Sequence, residues 1–133
     1  MKPGRLPFIQ VGVSNRGATV LNELLTAHPD RFEPVGLVDV VPEFIEAARR
    51  LPGLTKVSVY ASLAEALGAQ PQAVAVFIVT PARYHGAMVR QALLAGRHVW
   101  VEKPLTYDYA EAVALAELAR RMGRSVVVGN QYQ

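Results

Sequence analysis

The chain has 133 residues, 51% hydrophobic and 19% charged, with a formal charge of +3 and no cysteine. A chain of this length buries about two thirds of the surface it exposes when unfolded, so one domain is expected and a disordered polymer is excluded. Without cysteine, disulfides, thiolate chemistry and cysteine metal sites are excluded; His28, His85 and His98 lie too far apart to suggest a metal site, and no window reaches the ~20 apolar residues of a membrane span.

In chain order, apolar runs alternate with segments of helical spacing. Residues 7–13 (PFIQVGV) read as a strand, and 17–27 as a helix whose Val20, Leu21, Leu24 and Leu25 recur at three- and four-residue steps. Residues 34–40 (PVGLVDV) form a second strand and 42–50 a helix. A third strand at 56–60 leads to a capping box, Ser62 to Glu65, that opens a short helix to Leu67. The run AVAVFIVT (73–80) is too continuously apolar for a half-exposed strand and is expected at the centre of a parallel sheet. A helix over 83–95 ends at Gly96, followed by a strand at 98–101, a helix at 107–121 and a sixth strand at 125–129.

Strands joined by crossover helices imply an α/β fold: a doubly wound, mainly parallel six-stranded sheet with helices on both faces, spanning 1–133 as one domain. The positive charge gathers at Arg49/Arg50 and Arg120/Arg121/Arg124, near helix ends, where cations complement the helix dipole, so no nucleic-acid partner is expected. The N-terminal apolar run is too short for a signal peptide, and a cytoplasmic protein is expected.

In such sheets ligands bind beyond the carboxyl ends of the strands. The first loop there, GVSNRG, places Gly12, Ser14, Asn15, Arg16 and Gly17 between strand and helix, where backbone N–H groups can hold a pyrophosphate. Gly12 suits the tight turn and Gly17 the close helix packing, while Ser14 replaces the middle glycine of G-x-G-x-x-G and puts a side chain where phosphates approach. Ala18-Thr19 follows the loop instead of the Lys-Ser/Thr of a P-loop, which excludes a nucleotide triphosphatase of that type. Asp39 closes the second strand 22 residues after Gly17, near the spacing of an acid that accepts adenosine ribose hydroxyls. A carboxylate there favours NAD over NADP, and Val40-Val41 bring no arginine to a 2′-phosphate.

The blocks VGVSNRG, VGLVDVVPE, VTPARYHGAMVRQALLAGRHVWVEKPL and VVVGNQY resemble the Gfo/Idh/MocA oxidoreductases over essentially the whole chain. The resemblance implies a Rossmann domain that binds a nicotinamide dinucleotide as cofactor and works on a small sugar or polyol-like substrate by hydride transfer. It implies that Glu102 and Lys103 are catalytic and cofactor-facing: Lys103 reaches substrate or assists proton transfer, and Glu102 orients the nicotinamide side. Pro104 fixes the exit of the turn and is a candidate for a cis bond. By the same resemblance Thr80 and Pro81 lie beneath the nicotinamide, and His85 stands one turn into the next helix as a third catalytic candidate. Tyr60, Tyr107 and Tyr109 are expected at the core edge or surface, and Trp100 in the core.

The family's second domain, with its substrate pocket, would begin after Gln133, which stands where many relatives carry arginine. The fragment is therefore expected to bind NAD without turning over substrate, and to expose an apolar face that favours homo-oligomers. A noncatalytic dinucleotide-binding or interaction module is the alternative, and loss of nucleotide through Ser14 is a third reading.

Overall fold

The computed structural model describes residues 4–129; the expectation for Gln133 falls among residues 130–133, outside the described residues. Six strands, β1 (Leu6–Val11), β2 (Phe32–Val38), β3 (Ser58–Tyr60), β4 (Ala75–Ile78), β5 (His98–Glu102) and β6 (Val126–Gly129), form one sheet in the order β3-β2-β1-β4-β5-β6. Every pairing is parallel. The helices α1 (Arg16–Ala27), α2 (Pro42–Arg49), α3 (Leu63–Ala69), α4 (His85–Leu94) and α5 (Tyr109–Met122) are the crossovers.

The strands alternate their side chains between two cores, as a sheet covered on both faces requires. Ile9, Val11, Val76, Ile78, Val99 and Val101 join α3, α4 and α5 on one face. Phe8, Leu37 and Phe77 pack against Val20, Leu21 and Ile45 of α1 and α2 on the other. Gln10 shares this second face, where it is fully buried. Trp100 is half-buried there, stacked on Phe77 at 5.8 Å between ring centroids. Tyr60 is half-buried and accepts a hydrogen bond from Gln70 Nε2, whereas Tyr107 and Tyr109 are exposed. Val127 and Val128 of the edge strand β6 are also exposed.

Boundaries moved where local chemistry overrode periodicity. The Ser62 hydroxyl accepts from the Glu65 amide, as the capping box predicts. The expected helix over 83–95 is divided: Ala82–Tyr84 form one 3₁₀ turn before α4 begins at His85. The expected helix from 107 starts instead at Tyr109, because the Asp108 carboxylate caps it by accepting from the Ala110 amide. Gly123, at φ 65°, ends α5 in the left-handed conformation that glycine adopts without strain.

Candidate functional site

The strand order reverses between β1 and β4, so the loops leaving these strands diverge and open a crevice at the sheet's carboxyl edge. The glycine turn sits in it with no room to spare. A methyl group on Gly12, at φ +89°, would run into the carbonyl of Val79, and one on Gly17 into the carbonyl of Gly12. Asn15 holds a positive φ of 47° just before α1. Among the described residues no side chain caps α1, and its first turn carries no acid, so its leading amides are left to the loop. The Ser14 carbonyl accepts from the Gly17 amide at 2.8 Å, closing the turn.

Asp39 follows β2 and reaches across to this loop. Its Oδ2 accepts from the Val13 amide and its Oδ1 from the Val41 amide, both at 3.1 Å. Each carboxylate oxygen keeps a further acceptor position. A cleft of about 650 Å³ opens beside it, lined among others by Gly12, Ser14, Asp39, Val40, Thr80 and Pro81. Arg83 and Tyr84 stand on the same wall, the guanidinium 4.6 Å from the Tyr84 ring centre.

The other half of the crevice is built from the β4 and β5 exits. The Lys103–Pro104 bond is cis. Glu102, only 13% exposed, pairs with Arg16 of α1 at 3.3 Å, and Lys103 is exposed beside it. His85 is buried, with Nδ1 2.7 Å from the Pro104 carbonyl and Nε2 2.8 Å from the Thr80 carbonyl. A neutral imidazole donates to one of these at a time and a protonated one to both. The ring thereby ties the β4 loop to the Glu-Lys-Pro turn.

The structure thus brings the glycine loop, Asp39, Thr80 and Pro81 to one cleft, with Glu102 and Lys103 at the adjoining turn, and holds His85 underneath. The donor set suits a dinucleotide: glycines that admit close approach, a helix start free of internal anions, and a carboxylate beside an apolar-walled cleft. Sequence reasoning missed Gln10, whose Nε2 donates to the carbonyls of Gly12 at 3.0 Å and Gly17 at 2.7 Å. The signal was present, since an amide inside a strand bound for burial on both faces needs internal partners.

A parallel six-stranded sheet with a glycine turn at its switch point defines the Rossmann class. Residues 8–130 match the GFO_IDH_MocA model, described as an oxidoreductase family with an NAD-binding Rossmann fold. The chain belongs to this oxidoreductase family. It is 42% identical over 125 residues to inositol 2-dehydrogenase of Leifsonia xyli, covering 89% of this chain and 34% of that one. Biliverdin reductase A of Mus musculus is 35% identical over 116 residues, covering 87% and 36%. The WlbA dehydrogenase of Chromobacterium violaceum, solved with NADH and UDP-GlcNAcA, superposes with a TM-score of 0.84 at 27% identity, covering 97% of this chain and 36% of that one. The chain spans about a third of the length of these relatives. No helix among the described residues is long and apolar enough to cross a membrane.

Proposed function

We propose that these 133 residues are the cofactor-binding part of a dehydrogenase that uses NAD in preference to NADP and acts on an alcohol carbon of a sugar or polyol-like substrate. The observation that carries the cofactor reading is the Asp39 carboxylate, fixed by the Val13 and Val41 amides at the rim of the cleft. There it can accept from both hydroxyls of an adenosine ribose and repels a 2′-phosphate. The sugar-like substrate is supported by the relatives that act on inositol or were solved with a nucleotide sugar.

The nicotinamide, when bound, supplies the hydride acceptor or donor. The chain's own groups divide the remaining work. The glycine loop and the start of α1 offer N–H groups to the pyrophosphate. Thr80 and Pro81 line the cleft, Glu102 and Arg16 pair at the adjoining turn, and Lys103 presents a cation there to polarise a substrate oxygen. His85 holds the two loops that frame this turn rather than touching substrate. By themselves these residues bind the dinucleotide without turning over substrate.

Calorimetric titration with NADH and NADPH tests the reading. NADH is expected to bind in the micromolar to submillimolar range, more tightly than NADPH, and Asp39→Ala to weaken NADH about tenfold while narrowing the gap between the two. Equal binding of both by the unaltered chain overturns the NAD preference, and binding of neither overturns the dinucleotide reading.

A further inference from the structure

Gln10 is fully buried on the face of β1 that packs against α1. Its two N–H donors go to the carbonyls of Gly12 and Gly17, the glycines that open and close the phosphate turn. Its Oε1 is buried and has no hydrogen-bond partner among the described residues. Reversing the amide would set Oε1 against two carbonyl oxygens, so the orientation is dictated by its partners. A fold that needed only volume here would place an apolar residue, which leaves no orphaned acceptor. The amide therefore has a use in the loop.

That use follows from peptide geometry. The Gly12 carbonyl and the Val13 N–H belong to one planar trans unit and point in opposite directions. Gln10 holds the carbonyl from inside, and Asp39 Oδ2 takes the N–H from outside. A carbonyl that accepts polarises the N–H of its own peptide and strengthens the bond that N–H donates. The same logic applies at Gly17, whose carbonyl shares a peptide with the Ala18 N–H in the first turn of α1. One internal amide is thus linked to both halves of an adenosine diphosphate site.

We propose that Gln10 is a positioning residue for the cofactor: it locks the Gly12–Val13 peptide so that Val13 orients Asp39 toward the ribose, and turns the Gly17–Ala18 peptide toward the phosphates. The inference rests on the dinucleotide reading above. Gln10 touches no ligand itself and acts through the loop.

The test uses the 133-residue chain and its Gln10→Leu, Asp39→Ala and doubly substituted forms, titrated with NADH and with ADP-ribose. Gln10→Leu removes both donors at similar volume; Gln10→Met, unbranched like glutamine, replaces it if leucine does not pack. Affinity for both ligands is expected to fall about tenfold while the unfolding midpoint falls only modestly, because the orphaned Oε1 disappears together with the donors that the Gly12 and Gly17 carbonyls lose. In the Asp39→Ala background the same substitution is expected to cost less than about threefold, the coupling of two groups acting through one peptide. Amide exchange supplies a second readout without ligand: the Val13 N–H accelerates about tenfold while amides of α4 and β5 keep their rates. Equal losses in both backgrounds, or an unchanged Val13 rate, assign Gln10 to packing and overturn the proposal. If the unaltered chain binds neither ligand, the cofactor reading falls, and the role of Gln10 toward a ligand falls with it; the Val13 rate then shows only whether Gln10 orders the turn.

Discussion

The two edges of the sheet solve opposite backbone problems. At the amino edge, the ends of α3 and α4 turn their last carbonyls toward Arg97, whose guanidinium donates to Leu67, Gln70, Ala73 and Ala95 at 2.7–3.2 Å. Arg124 does the same for Gly96 at 2.6 Å and Gly123 at 3.0 Å. The cleft between these arginines, about 380 Å³, is lined by basic side chains, yet their charge complements the negative ends of helices and most of their donors are already engaged. At the carboxyl edge the start of α1 presents N–H groups instead, and Gln10 beneath it holds the carbonyls of Gly12 in the loop and Gly17 in the first turn. A basic cleft is therefore structural at one edge, and the cleft lined by Asp39 is the binding candidate at the other. Helix polarity, more than side-chain charge, separates them.

The sharpest way to break this comparison is at the glycine turn, where backbone meets backbone and nothing can yield. Gly12→Ala combines a positive φ with a collision against the Val79 carbonyl. It is expected to destabilise the chain by about 4 kcal/mol in urea unfolding and to abolish NADH binding.

The amino edge is expected to respond differently. Arg97→Ala leaves four carbonyls without their cation and should cost about 3 kcal/mol. Its NADH affinity, measured on the folded fraction, is expected to stay within about twofold of the unaltered chain, because distant sites act independently. An Arg97→Ala chain that unfolds at its normal midpoint but loses NADH would reverse the assignment of the two edges.

How much of this was legible in advance follows from how local each signal is. Continuous apolar runs such as residues 73–80 announce buried parallel strands, because burial on both faces leaves no polar positions. The glycine loop and Asp39 were legible because spacing and chain order suffice to bring them to one edge. Gln10 was not: its meaning depends on which way β1 faces and on Gly17, seven residues later, folding back over it. His85 was singled out for chemistry, but its burial depends on where the Pro104 carbonyl lies, 19 residues away. Arg97 was not legible either, since a lone arginine after a glycine says nothing about three segments converging on it.

The smallest expected effect concerns the Arg16–Glu102 ion pair across the carboxyl-edge crevice. Arg16 and Glu102 are 86 residues apart in sequence and join the glycine loop to the Glu-Lys-Pro turn. Arg16 is 38% exposed, so water and salt screen the pair, and Glu102→Gln should cost about 1 kcal/mol in dilute buffer and much less at about 1 M salt. Arg97, bound to carbonyls that need it at any ionic strength, should keep most of its contribution under the same conditions. A Glu102→Gln cost that persists in high salt would mean that the pair is a rigid part of the scaffold, like the arginine at the opposite edge. A cost that disappears leaves it as a contact able to part, as the proposed placing of the nicotinamide end at this turn requires.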